Sequence, residues 1–340
     1  MSFIDSIYDK AKQNKQRIAI SECTNELMMR VAVRAAAAGI ADIVFVGNPI
    51  EIEKTSQRCK IDLSAVTIVN VGDETYKERL AERYDELPNK VMGKKFVARR
   101  IGDPLYMAMV MESVGDADCI FAGLDTTTYE FILAASSIIG RAAGVITPAA
   151  LLIMEIEGFE GGQGNCFGMS DGAICLEPTS EELACISILS CDTFSALMGR
   201  SARCALLSSS TCGSGSGPSV DRISAAVKLA NAQRPDLMID GEFQADAAIN
   251  ARVAAKKVKR PSEVSGRADV LIFPDAAACN IGTKLIQQYA NSRSYGPIYL
   301  GFRQAFIDCS RGDTEDRIFD NIALCSVMAA NRRGRENGVE

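Results

Sequence analysis

The chain has 340 residues, 47% hydrophobic and 24% charged, a balance that excludes disordered and collagen-like chains and suits about two domains of ~150 residues, each with its own core. Thirty-seven Lys and Arg against 43 Asp and Glu leave a net charge of −6, so there is no general basic excess for nucleic acid or an anionic membrane; an anionic ligand must meet a local positive site. The sequence contains no His, which removes the commonest general base and metal ligand and leaves catalysis to carboxylates, Cys, Lys and Arg.

In chain order, the charged opening MSFIDSIYDKAKQNK lacks an apolar core, so no secretion signal is expected. RIAIS reads as a strand, ELMMRVAVRAAAAG as a helix with Leu27, Val31 and Ala35 on one face and Gly39 as its left-handed cap, and ADIVFVG as a second strand. This βαβ unit continues with a helix PIEIEKTSQRC, a strand AVTIVNVG, helices TYKERLAERYDELPNK and DPLYMAMVMESVG, and a strand ADCIFAG. Such alternation predicts a parallel sheet.

From about residue 144 longer apolar runs follow: GVITPAALLIMEIEG, a turn-rich EGGQGNCFGMSDG, a short strand AICLEP and a helix opening at Thr179. Arg141, Pro148 and Glu155 interrupt the most apolar stretch before it reaches the ~18 residues a spanning helix needs, so no membrane segment is expected. ARCALLSSS reads as a strand, TCGSGSG as a loop and PSVDRISAAVKLANAQRP as a helix with Pro in its first turn. LMIDGEF, a helix DAAINARVAAKKV, ADVLIFP, a helix NIGTKLIQQYA, PIYLGF and a terminal helix TEDRIFDNIALCSVMAANRR complete the pattern, with ENGVE as a tail.

Twelve cysteines show no CxxC pairs or zinc-ribbon spacing, and most lie in apolar runs such as LACISIL, where Cys acts as a small hydrophobe. This predicts a reduced, cytoplasmic chain without a metal site.

Three segments can carry chemistry. In ALLSSSTCGSGSGPSVDRI a Gly/Ser loop joins a strand to a helix, so clustered N–H groups and the positive helix end can hold a phosphate, or the loop is an ordinary flexible turn. It has neither the Walker GK[ST] nor GxGxxG spacing. In CSRGDTEDRI, Ser310 and Arg311 suit a phosphate or thioester oxygen, while Asp313 or Thr314 can equally cap the following helix. The basic cluster KVMGKKFVARR can attract a polyanion or form a solvated helix face.

The runs LLSSSTCGSGSGPSVDRI, RPDLMIDGEFQADAA, VAAKKVKRPSEVSGRADVLIFPDAAACNIGTKLIQ, GPIYLGF and DCSRG, in that order and spacing, resemble the phosphate acetyltransferase and butyryltransferase family over nearly the whole chain. The resemblance implies a two-domain α/β/α fold with largely parallel sheets, of the isocitrate or isopropylmalate dehydrogenase-like kind. The first domain would comprise residues 1–144 and 299–340 and the second 145–298, with the active site in the cleft between them. It also implies acyl transfer between phosphate and coenzyme A without a metal or a covalently bound cofactor, and a homodimer. Either the chain performs this reaction, or it is an impaired or redirected relative that binds acyl-coenzyme A or phosphate as a sensor.

By the same resemblance, Ser210, Thr211, Gly213, Ser214 and Gly215 would bind phosphate, Ser310 and Arg311 would contact the reacting groups, and Asn280 and Ile281 would lie near coenzyme A. The family's basic carboxylate falls at Arg317, leaving Asp316, one residue earlier, as the candidate base, and its two substrate arginines are replaced by Asn89 and Leu133. Arg303 and Arg317 are added cations that could compensate, and Cys212, Cys279 and Cys309 lie in or beside the site loops, where a thiol near a helix N-terminus could be a low-pKa nucleophile.

Overall fold

The computed structural model describes residues 2–159, 164–290 and 292–336. In chain order the elements are α1 (Phe3–Gln13), β1 (Arg17–Ile20), α2 (Glu26–Ala37), β2 (Asp42–Gly47), α3 (Pro49–Cys59), β3 (Thr67–Asn70), α4 (Glu74–Asp85), α5 (Lys94–Arg100), α6 (Pro104–Ser113), β4 (Cys119–Ala122) and α7 (Thr128–Ile138). They are followed by β5 (Ala149–Glu155), β6 (Cys166–Ser170), α8 (Ser180–Met198), β7 (Arg203–Leu207), α9 (Pro218–Gln233), β8 (Met238–Phe243), α10 (Ala245–Ile249) and α11 (Ala251–Lys257). The last are β9 (Val270–Ile272), α12 (Ala276–Tyr289), β10 (Arg293–Leu300), β11 (Phe306–Asp308) and α13 (Glu315–Glu336).

The chain divides into two compact units, Met1–Ala142 with Phe302–Glu340, and Ala143–Gly301. In the first unit the strands run β3-β2-β1-β4-β11, every pair parallel. Consecutive apolar side chains such as Ile18, Ala19 and Ile20 are fully buried, as expected of strands covered on both faces. Asn25, Asn48 and Asp103 cap the N-termini of α2, α3 and α6 through their side chains, which fixes where each helix leaves its strand. In the second unit the order is β10-β5-β6-β9-β7-β8. Here β6, β9, β7 and β8 pair in parallel, while β10–β5 and β5–β6 are antiparallel.

Three local expectations need correction, and the opening segment carries an element that was not read from the sequence. AICLEP is a chain of turns, because the Asp171 carboxylate gathers the N–H groups of Ala173, Ile174 and Cys175 at 2.9, 3.2 and 2.7 Å, bonds that a strand would place in the ladder. The helix read over DAAINARVAAKKV is two helices, since Asn250 leaves the helical conformation and caps α11 through its side chain. The opening segment forms α1, whose Phe3, Ile4, Ile7 and Ala11 are buried, so its apolar residues form a helical stripe rather than a contiguous run. Finally, the chain is not wholly reduced: Cys119 of β4 and Cys325 of α13 form a disulfide, and both residues are fully buried. They are brought together across 206 residues of sequence, a pairing invisible to local spacing. The tail read from 336 onward lies mostly outside the described residues, as does part of EGGQGNCFG.

Candidate active site

In parallel α/β sheets the loops leaving the carboxyl ends of strands converge, and ligands bind there. In the first unit Ile20 of β1 is registered beside Phe121 of β4, and Ala122 of β4 beside Asp308 of β11. The segments after these strands are therefore neighbours. Glu22, only 6% exposed, accepts the N–H groups of Gly123, Leu124, Asp125 and Thr126 at 2.7–3.1 Å, which folds the β4–α7 loop around one carboxylate. A Cβ on Gly123 would lie 2.2 Å from the Cys309 carbonyl oxygen, so only glycine allows the two loops to lie this close.

Ser310, Arg311 and Gly312 are exposed at the tip of the β11–α13 loop. The loop is closed from beneath by buried Asp313, which accepts the Ser310 N–H at 2.8 Å and pairs with Arg317 at 3.0 Å. Thr314 accepts the Arg317 N–H at 3.3 Å. The capping and site readings of this segment are thus compatible, because the buried carboxylate shapes the turn that presents Ser310 and Arg311. Among the described residues the Arg311 guanidinium makes no hydrogen bond or ion pair, and its charge contributes to holding the neighbouring Glu130 carboxyl below its usual range, after the bonds from Thr127.

In the second unit the Ser/Gly loop leaves β7 beside the end of β8, where Leu207 is registered with Phe243. Its organiser is Glu242, 5% exposed, which accepts Ser210 Oγ at 2.9 Å, the Gly213 N–H at 2.7 Å and Ser224 Oγ at 2.9 Å. Burial works to raise this carboxyl, but these bonds together outweigh it and hold the group below the usual carboxylate range. Ser214 Oγ accepts the Thr211 N–H at 2.9 Å, Thr211 Oγ1 bonds Gln244, and the Gly215 N–H bonds Ser210 Oγ at 3.0 Å. Of the residues expected at a phosphate, Ser210 and Gly213 both have a donor bonded to Glu242 in this arrangement. What the loop leaves open is the N-terminus of α9, where Gly217 occupies the cap and no side chain bonds the first turn.

The family described as "Phosphate acetyl/butaryl transferase" matches residues 2–326 of the sequence. The chain belongs to this family. A phosphate acetyltransferase from Thermoanaerobacterium thermosaccharolyticum is 36% identical over 331 residues, spanning 97% of this chain and 100% of the relative. One from Clostridium acetobutylicum is 35% identical over 330 residues, spanning 97% and 99%. Among solved structures, the EutD phosphotransacetylase from Staphylococcus aureus superposes with a TM-score of 0.87 at 26% identity over 96% of this chain and 98% of that one. The 4-hydroxythreonine-4-phosphate dehydrogenase from Klebsiella pneumoniae, with a TM-score of 0.55 at 9% identity over 93% of this chain, shares the fold alone.

Against the pattern of the family, the chain's departures take on definite surroundings. Asp316 has its carboxylate 84% exposed and paired with Arg34 of α2 at 2.9 Å. The expected base is therefore a member of a surface ion pair, because one residue of helix turns its side chain by about 100° from the position of Arg317. Leu133 is 48% exposed on α7. Asn89 lines a cavity of about 290 Å³ together with Arg303, whose Nε donates to the Ile139 carbonyl oxygen at 2.7 Å.

The three cysteines in or beside the site loops all lie where burial raises the thiol. Burial pushes the Cys309 thiol far up, with Glu22 adding to the effect, and burial raises Cys212 against the pull of Arg260. Cys279 is likewise raised by burial. Arg260 beside Cys212 and Arg317 near Cys309 oppose the shift, but at all three thiols burial prevails. Asn280 and Ile281, at the start of α12, line a cavity of about 770 Å³ with Arg222, Asp275 and Gly172. Sequence reasoning missed Glu22, Glu242 and Arg222, and singled out Asp313 only as a candidate helix cap; the signal for Glu22 and Glu242 is a carboxylate closing a strand in RIAISE and LMIDGE.

Proposed function

We propose that this chain transfers a short acyl group between phosphate and coenzyme A, with Ser310 and Arg311 at the reacting groups. The observation that carries this reading is the unpartnered Arg311 guanidinium beside exposed Ser310, on a loop fixed by Asp313, in a chain that matches the acyltransferases end to end. A guanidinium fork offers parallel donors to phosphate oxygens or to a developing oxyanion. The thiolate of coenzyme A attacks the carbonyl carbon of the acyl phosphate; the C–S bond forms, the bond from that carbon to the bridging oxygen breaks, and phosphate leaves with that oxygen and the electron pair.

The thiol proton goes to solvent rather than to Asp316, which Arg34 holds in an exposed pair. A thiol of pKa ~8.5 is a few per cent ionised near neutrality, and a neighbouring guanidinium increases that share. The open N-terminus of α9, behind Ser214 and Gly215, supports a role in holding phosphate, with Ser210, Thr211 and Gly213 forming its frame. The cavity at Asn280 and Ile281, with Arg222 in its wall, supports coenzyme A binding there. Coenzyme A as co-substrate favours a cytoplasmic location, where the fully buried Cys119–Cys325 bond would be shielded from soluble reductants. Leu285 and Tyr289, 48% and 85% exposed at i, i+4 spacing on α12, support a homodimer.

The test is a thioester-formation assay with acetyl, propionyl and butyryl phosphates and coenzyme A, run on the unmodified chain and on Arg311→Ala. Turnover in the first and its loss in the second is the expected result; equal rates in both would remove Arg311 from the site. The Asp316–Arg34 pair favours one other reading, recognition of acyl-coenzyme A without turnover, which predicts calorimetric binding of coenzyme A and no thioester.

A further inference from the structure

The cavity of about 770 Å³ at the start of α12 has donors and acceptors that narrow what it can hold. Its walls carry two carboxylates, Glu177 and Asp275, against one guanidinium, Arg222. Most of the N–H groups that a phosphate would seek around it are already taken. The Ala276 N–H, the first of α12, donates to the Leu176 carbonyl at 3.1 Å, and the Ala278 N–H donates to Asp275 Oδ1 at 2.8 Å. In the turns that lead to Leu176, the N–H groups of Ala173, Ile174 and Cys175 converge on buried Asp171. Arg222 gives Nη2 to the Pro274 carbonyl at 3.0 Å, and its Nε is buried.

Acceptors, by contrast, are open. Among the described residues Glu177 makes no hydrogen bond or ion pair, Asp275 Oδ2 has no donor, and the side chain of exposed Asn280 is unbonded. Beside them Leu176 and Ile281 are 68% and 60% exposed, and no aromatic residue among those described lines the cavity to offer a base a stacking face. An ionised carboxylate only accepts, so these walls call for a ligand that brings N–H and O–H donors. A phosphate would bring further negative charge to an acidic wall and find few free donors. Branched aliphatic side chains complete a surface suited to a neutral chain with amides, a hydroxyl and a branched carbon.

We propose that this cavity holds the pantetheine arm of the thiol substrate, its amide and hydroxyl groups donating to Glu177, Asp275 and Asn280, while the pyrophosphate and the 3′-phosphate of coenzyme A stay outside. The inference rests on the acyl-transfer reading and extends it: the acceptor class is pantetheine thiols in general, with dephospho-coenzyme A and pantetheine acylated by the same displacement of phosphate.

The experiment measures thioester formation from acetyl phosphate with coenzyme A, dephospho-coenzyme A and pantetheine, and inhibition of the coenzyme A reaction by adenosine 3′,5′-bisphosphate. The expected kcat/KM for dephospho-coenzyme A lies within about threefold of that for coenzyme A, less than one ordinary hydrogen bond is worth. Pantetheine should accept the acyl group, and the bisphosphate should not compete. Glu177→Ala and Asn280→Ala are expected to raise KM for pantetheine by about fivefold and to leave kcat in place; a melting temperature close to that of the unmodified chain shows that each is folded. A loss of about tenfold or more on removing the 3′-phosphate, the worth of a bond to a charged group, overturns the proposal. Competition by the bisphosphate without turnover of pantetheine overturns it too, as do folded variants with normal KM values for pantetheine. If no thiol is acylated, the acyl-transfer reading fails instead, and calorimetric titration still decides the cavity: binding of pantetheine but not of the bisphosphate supports the assignment, and the reverse removes it.

Discussion

Arg34 Nη2 of α2 lies 2.9 Å from Asp316 Oδ1 in the first turn of α13, and the same guanidinium stacks 4.2 Å from the ring centroid of Phe319. The stacking fixes the arginine, and the arginine fixes the carboxylate, away from the tip where Ser310 is exposed. An exposed pair of this kind contributes about 0–1 kcal/mol to stability. Asp316→Asn is therefore expected to fold normally and to keep kcat/KM for coenzyme A within about threefold of the unmodified chain, against the 10²–10⁴-fold that a positioned general base typically supplies. Steady-state assays of thioester formation decide the matter, and a loss of two orders of magnitude would restore Asp316 as the base.

Removing the Arg311 guanidinium is expected to lower kcat/KM by roughly 10²–10³-fold, the usual cost of one donor aimed at developing charge. Arg311→Lys keeps the charge but not the fork and should recover only part of the loss. The melting temperature should stay unchanged in both, since Arg311 has no hydrogen bond or ion pair among the described residues to lose. A large drop in melting temperature would mean that the residue supports the fold instead.

Glu242 gives a pH prediction whose sign follows from its bonds. Burial alone would raise the carboxyl, but donors from Gly213, Ser224 and Ser210 hold it below the usual range. A carboxyl depressed in the folded state contributes stability that is fully present above the unfolded value of about 4.3 and is lost as pH falls through the folded value. Amide exchange in the 208–217 loop should therefore accelerate on acidification below about pH 4 relative to its intrinsic rate. Glu242→Gln should show a loose loop already at pH 7, at a cost of about 1–3 kcal/mol. A loop equally protected in this variant at neutral pH would show that the serines find other partners.

The disulfide predicts a thiol count. Denatured without reductant, the chain should present ten reactive thiols of its twelve cysteines, and twelve after reduction. Cys325→Ser should lower the melting temperature of the non-reduced protein, because the cross-link closes a long loop in the unfolded chain. Twelve thiols without reductant would show the two sulfurs to be merely adjacent. Cys309→Ser, by contrast, should leave acyl transfer within about twofold, since burial holds that thiol in its neutral form.

Much of the fold was legible because the periodicity of apolar residues and the capping residues are local properties. The helix at Pro49–Cys59 and the strand at Val270–Ile272 lie within the segments that the sequence marks out for them. Interactions formed across distant residues were not legible. The turns at 173–175 arise from one carboxylate, Asp171, competing with the ladder for N–H groups, and the apolar run AICLEP gives no sign of it. At the site, Ser310 and Arg311 could be singled out because a loop residue pair of that chemistry is conspicuous. Glu22 and Glu242 close their strands visibly in RIAISE and LMIDGE, but their partners were not legible: Glu22 takes backbone N–H groups up to 104 residues away, and Glu242 takes the Gly213 N–H with the Ser210 and Ser224 hydroxyls, contacts that only the fold brings together.

The carboxylate of Glu22 and the missing side chain of Gly123 have a joint effect on the kinetics of encounter. With four amides tied to one group and a carbonyl 2.2 Å from where a Cβ would stand, the β4–α7 loop has little freedom left to lose when a substrate arrives. Capture should then proceed without a preceding rearrangement in this part of the molecule, so association measured by stopped flow should rise linearly with ligand concentration and show no plateau from a slow loop-ordering step. Selectivity on this edge would be exercised at departure, through residence time, rather than on entry.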